Sequence, residues 1–231
     1  MMELQNINLF MNDKNVLHSI NLQWRKGESI ALIGANGAGK SSLLKVLGTL
    51  VKPNSGKLKY PSDLSVKEWK KLLGIVFPET FLYHSLTAYE NLRFYQKLYG
   101  KINKDRIDEV LKQVKLFHVK QEIVDTYSKG MKQRLSIARA LLHNPTYLLL
   151  DEPFDGLDSE SKEILKNMLL QMRQKGTGYI LVSHDSEQAW ELCDRAVLMH
   201  EGRIIAEGKC TNQGYFPFIK RYREIVKEKS S

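Results

Sequence analysis

Eight consecutive residues, Gly34-Ala35-Asn36-Gly37-Ala38-Gly39-Lys40-Ser41, restrict this 231-residue chain more than anything else in it. They fit G-x-x-x-x-G-K-[ST], a pattern that chance produces in about one chain in a hundred of this length. The flanks sharpen the reading. Residues 29–33 (Ser-Ile-Ala-Leu-Ile) form a short apolar run that reads as a buried strand, and residues 42–47 read as a helix. Glycines let backbone N–H groups close around a phosphate, and the helix N-terminus adds unpaired donors and its positive dipole end. In that arrangement Lys40 reaches the terminal phosphates and the Ser41 hydroxyl ligates Mg²⁺, with Asn36, Gly37, Ala38, Gly39 and Ser42 completing the cradle. A glycine-rich turn with a surface lysine would explain the loop but not its flanks. The stretch is a nucleotide site.

The rest of the composition bounds the class. At 231 residues the chain has enough length for one sizeable core. Apolar runs such as Leu148-Leu149-Leu150 fall far short of the roughly 18 residues a membrane span needs, and the first residues do not read as a signal peptide, so a cytosolic protein is expected. Cys193 and Cys210 lack metal-type spacing and are expected to be buried or incidental thiols. The formal charge of +9 is compatible with nucleic acid, anionic lipid headgroups or nucleotide phosphates as partners. Some of it gathers in a basic tail over residues 212–231, for which a solvated helix is the simplest expectation.

Taken in order, residues 3–10 and 16–24 read as two strands joined by a polar turn at 12–15. Residues 57–60 resume a strand, and residues 72–77 read as another buried one, stopped by Pro78. From Thr87 the pattern turns helical. Thr87 and Glu90 have capping-box spacing, and Ile107, Val110, Leu111 and Val114 mark one helix face. Residues from Leu86 to about Asp125 form the only long stretch without strands and read as a helical insertion in an α/β domain, with its boundary set at 86–130.

Residues 147–150 make a central strand that delivers Asp151 and Glu152 at its C-terminal end, where parallel α/β sheets bind ligands. Asp151 is placed to hold the Mg²⁺ shell, and Glu152 to orient or deprotonate an attacking water. Residues 178–185 read as a further strand ending in a histidine, His184. The other five histidines have no motif around them.

At this point residues 3–208 resemble the nucleotide-binding subunit of ATP-binding-cassette (ABC) transporters. Residues 34–41 look like its Walker A motif, 148–152 like Walker B with the catalytic glutamate, 156–158 (Gly-Leu-Asp) like the D-loop, and His184 like the switch histidine. Tyr127-Ser128-Lys129-Gly130-Met131 falls where the family carries its signature. The resemblance implies a P-loop NTPase (RecA-like) core with an N-terminal antiparallel β-subdomain and an inserted α-helical subdomain. It also implies ATP and Mg²⁺ as ligands, with Lys40, Glu152 and His184 catalytic. Ser128, Gly130 and Asp158 would contact nucleotide across a head-to-tail dimer, and an integral membrane subunit would be the partner on the cytoplasmic face. Nucleic acid is not expected as a partner.

Three positions depart from the family pattern. Lys129 and Met131 replace the usual Gly and Gln of the signature, which alters rather than removes it. Pro78 and Glu79 stand where a metal-contacting glutamine is usual, making Glu79 a candidate oxygen ligand. The adenine-stacking aromatic aligns with Met11, with Phe10 beside it. The motif style is similar to haem-exporter and ABC-2-type exporter ATPases. A soluble ABC ATPase acting on a cytosolic assembly complex, or on nucleic acid and ribosomes, is the alternative.

Overall fold

The computed structural model describes residues 1–11, 14–100, 103–211, 213–220 and 224. Part of the expected turn at 12–15 and most of the basic tail lie outside the described residues.

Three segments with all five residues buried, β3 (Ser29–Ile33), β6 (Tyr147–Asp151) and β7 (Gly178–Val182), form the middle of a six-stranded sheet. Strands covered on both faces are why these segments are continuous apolar runs rather than alternating ones. With β5 (Leu73–Val76), β8 (Arg195–His200) and β9 (Arg203–Lys209), the order is β5-β6-β7-β3-β8-β9. All neighbours are parallel except the β8–β9 hairpin. Alternate residues of β3 feed two cores: Ala31 and Ile33 pack on one side of the sheet, Ile30 and Leu32 on the other.

The second core is shared with a three-stranded antiparallel sheet of β1 (Met2–Met11), β2 (Lys14–Trp24) and β4 (Ser55–Lys59), ordered β2-β1-β4. Trp24, Trp69 and Tyr147 meet edge-on or tilted at the junction, with centroids 4.7–6.3 Å apart. Each indole finds a backbone acceptor, Trp24 Nε1 donating to Glu28 O at 2.9 Å and Trp69 Nε1 to Leu47 O at 3.0 Å. Large apolar rings can therefore be buried here without leaving an N–H unpaired.

Helix α1 (Lys40–Leu47) follows the phosphate loop, and α2 (Val66–Leu72) precedes β5. The strand expected over 72–77 is thus shorter, because α2 runs to Leu72 and Trp69 turns inward on a helix. Helices α3 (Ala88–Leu98) and α4 (Lys104–Gln113) pack on each other and on α5 (Lys129–Leu141). Thr87 caps α3 with the reciprocal Glu90 bond, and Ile107, Val110 and Leu111 are the buried face of α4. Helices α6 (Ser159–Gln174) and α7 (Ser186–Leu192) follow, and residues 215–220 are helical as well.

Candidate functional site

The phosphate loop runs from the C-terminal end of β3 into α1, and its glycines are there for steric reasons. A Cβ on Gly34 would lie 2.2 Å from Met199 O, and one on Gly39 (φ +96°) 2.9 Å from Val16 O. Gly37 differs: it has φ +79°, yet a Cβ there would meet nothing within 4 Å. Its left-handed backbone faces open space, which is the cradle. The loop is buttressed from behind by the β8–β9 turn, where Gly202 N donates to Ala38 O at 3.1 Å. The Ala38 amide itself is spent inside the loop on Ala35 O at 3.2 Å. From sequence alone, residues 195–207 read as a hairpin turning at Glu201-Gly202; the role of Gly202 in holding the loop comes from the fold.

The start of α1 is built for an anion. Helices α2 to α7 all carry a side-chain cap, from Ser65, Thr87, Asn103, Ser128, Asp158 and Asp185. The N-cap of α1 is Gly39, which has no side chain to offer, and its first turn holds no acidic residue. The first-turn donors are left for a ligand. Lys40, 7% exposed, curls back so that its Nζ donates to Gly34 O at 2.7 Å and Ala35 O at 3.0 Å. Burial lowers the lysine pKa, while the charges of Glu152 and Asp151 work to raise it.

Across from the loop, Ser41 Oγ donates to Asp151 Oδ1 at 3.1 Å. Asp151, 3% exposed, has its pKa raised above the ordinary aspartate value by burial; the Ser41 bond, Lys45 and Lys40 oppose this, and the charge of Glu79 adds to it. Glu79 itself lies on the exposed loop after β5. Among the described residues no three His, Cys, Asp or Glu side chains are grouped to hold a metal unaided. The oxygen donors of Ser41 and Asp151 nevertheless suit Mg²⁺, which takes one or two carboxylates and completes its shell with phosphate and water. Lys45, on the same helix as Ser41, is a charge that sequence reading left out.

Glu152 directly follows β6 with φ +49°, a left-handed backbone that is uncommon for a side chain of its size. Its Oε2 accepts from His184 N at 2.8 Å, and its Oε1 lies 3.4 Å from His184 Nε2. Burial raises the Glu152 pKa; the His184 N–H, the His184 charge and Lys40 pull it down, and Asp151 pushes it up. The C-terminal ends of β3, β6 and β7 thus bring Lys40, Ser41, Asp151, Glu152 and His184 together.

The remaining expected residues sit elsewhere. Phe10 and Met11, 52% and 40% exposed, lie at the end of β1 opposite Asn15 and Lys14; Val16, just beyond, touches the loop at Gly39. Ser128 caps α5, its Oγ accepting from Met131 N at 3.2 Å. Gly130 is buried against α6, where a Cβ would come within 2.4 Å of Ser161 Oγ. Asp158 caps α6, its Oδ1 accepting from Ser161 N at 2.7 Å. Lys129 lies over Gly156 with its Nζ 3.6 Å from Asp155 Oδ2.

The family model described as ABC transporter matches residues 17–155. A linearmycin resistance ATP-binding protein of Bacillus subtilis is 37% identical over 92% of this chain and 70% of its own length. An Fe(3+) ions import ATP-binding protein of Haemophilus influenzae is 30% identical over 89% of the chain and 61% of its own. A dimeric ATP-binding cassette in a post-hydrolysis state, bound to ADP and Pi, superposes with a TM-score of 0.81 at 29% identity, covering 92% of this chain and 100% of that one.

Proposed function

Because the chain belongs to the ABC transporter family and is an ATP-binding, ATP-hydrolysing cassette of it, we propose that it powers export through a separate membrane subunit, working as a pair of ATPase subunits. Relatives named for resistance and for import both match. Export is favoured by the motif style of the signature, Ser128-Lys129-Gly130-Met131. Pairing is supported by the placement of Ser128 and Gly130 at the start of α5, where Lys129 and Gly130 meet the beginning of α6 and the loop before it. Although Ser128 caps α5 within its own chain, we assign its hydroxyl and the Gly130 backbone to a nucleotide bound on a second subunit. The solved dimeric cassette has the same fold.

The Glu152–His184 contact carries the mechanistic reading. A half-buried carboxylate with a raised pKa is a better base than an exposed one, and His184 fixes its orientation. Glu152 is assigned to align and deprotonate water for in-line attack on the γ-phosphate. Lys40 leaves its carbonyl partners to neutralise charge on the phosphates, and the open N–H groups of α1 hold the oxygens. Ser41 and Asp151, with the charge of Glu79 reaching them, would hold Mg²⁺, which would supply positive charge to offset that of the phosphates.

Glu152→Gln tests this. The amide keeps the size of the side chain and an acceptor for the His184 N–H, so ATP affinity should stay within a few-fold while turnover drops by about 10²–10⁴-fold, the usual worth of a general base. Retention of more than a tenth of the turnover would remove Glu152 from that role.

A further inference from the structure

Helix α7 begins directly after the catalytic edge. Its N-cap, Asp185, follows His184, whose N–H and ring lie 2.8 and 3.4 Å from the two Glu152 carboxylate oxygens. The His184 side chain is 61% exposed, so packing does not hold it in place. Its position is inherited from the turn into α7, where Asp185 N donates to Ser183 Oγ at 3.2 Å and Asp185 Oδ1 accepts from Gln188 N at 2.9 Å. The helix itself packs on β3, with Ala189 and Leu192 buried.

Ser186 and Trp190 are one helical turn apart on α7 and so share a face. That face is covered by the segment after β9. Ser186 Oγ and the Tyr215 hydroxyl are hydrogen-bonded at 2.7 Å. Trp190 meets the Tyr215 ring edge-on with centroids 5.9 Å apart and the Phe218 ring tilted at 5.1 Å, and its Nε1 donates to Thr211 O at 3.0 Å. The segment is tied within itself, Gly214 N donating to Thr211 O at 3.0 Å and Phe218 N to Gly214 O at 3.1 Å. Gly208 of β9 makes room for it, since a Cβ there would stand 3.0 Å from the Phe218 ring. Because Asp185 caps α7, the Ser186 hydroxyl is left for Tyr215.

We propose that Tyr215 is a positioning residue for ATP hydrolysis. By holding Ser186 and Trp190 it fixes the first turn of α7, and through that turn it keeps His184 against Glu152. This rests on the reading of Glu152 as the base and His184 as the group that orients it. Residues 211–220 then bear on turnover from outside the nucleotide site, through a bond between two neutral, half-buried hydroxyls. Such a bond is a modest tie, so its effect on rate is modest as well.

Tyr215→Phe keeps the ring on Trp190 and deletes only the hydroxyl; Ser186→Ala deletes the other half of the bond. In the purified full chain with ATP and Mg²⁺, each should lower kcat by about 2- to 10-fold and leave the KM for ATP within about two-fold. The double variant should be no slower than the slower single one. Deuterium exchange at the His184 amide should quicken by a similar factor, while the Leu43 and Leu44 amides of α1 keep their rates. Added to His184→Ala, Tyr215→Phe should cost less than about two-fold more; if that background turns over too slowly to measure, the amide exchange decides. An unchanged kcat, a loss carried in full into His184→Ala, or a slower enzyme with unaltered His184 exchange would each overturn the proposal. Failure of the underlying catalytic reading would show separately, as turnover retained by Glu152→Gln.

Discussion

Gly37→Ala separates the architecture of the phosphate loop from its use. The residue has φ +79° and no atom within 4 Å of where its Cβ would stand. Alanine there costs only the left-handed backbone, roughly 1–2 kcal/mol. For a chain of 231 residues each kcal/mol moves Tm by about 2–4 °C, so the nucleotide-free variant should melt roughly 2–8 °C below the parent. The methyl group, however, projects into the space assigned to phosphate. In the parent, ATP at a hundred times its Kd adds about 2.7 kcal/mol, or roughly 5–11 °C. In the variant that ligand-induced rise should vanish. The assay is thermal unfolding with and without ATP and Mg²⁺. A variant that keeps the full ATP shift refutes the assignment of this space to phosphate. A nucleotide-free loss far beyond a few kcal/mol refutes the claim that the space is open.

Asp151→Asn should stabilise the nucleotide-free protein while removing Mg²⁺-dependent turnover. Burial raises this carboxyl above 3.8, so the fold holds its proton more tightly than the unfolded chain does, and stability is lost as pH rises through that interval. A neutral amide escapes that loss, and an increase of roughly 0.5–2 kcal/mol at neutral pH is expected from chemical denaturation; a decrease would contradict the reading. Glu152 must be ionised to act as a base, and burial raises its pKa above 4.5, so the acid limb of the pH–rate profile should fall above that value. His184→Ala removes a side chain that lowers the Glu152 pKa, so the limb should move to higher pH, and an unmoved limb would detach His184 from Glu152.

Much of this site could be read in the sequence because its strands are buried on both faces. Ser29–Ile33, Tyr147–Asp151 and Gly178–Val182 are apolar runs that end at Gly34, Glu152 and Ser183-His184, so strand ends and chemistry coincide along the chain. Helix α2 was harder. Trp69 is its one fully inward residue, which gives no helical period, and only the Ser65–Glu68 capping spacing marks its start. The supports of the loop were not legible at all. Gly202 and Met199 reach it from more than 150 residues away, through a hairpin whose local pattern says only that a turn is present. Ser128, Gly130 and Asp158 illustrate a different gap: within one chain they cap or pack α5 and α6, and short-range pattern cannot separate such work from contact with a ligand.

The backbone of Glu152 has an evolutionary corollary. At φ +49° a glycine would sit without strain, and a glutamate gives up roughly 1 kcal/mol or more to stay there. Drift toward stability therefore runs against chemistry at this one position. A descendant copy released from the need to hydrolyse ATP should acquire glycine or asparagine here early, gaining a sturdier fold as it falls silent. In any related chain, a long acidic side chain kept at this strained corner is a record that turnover is still being selected.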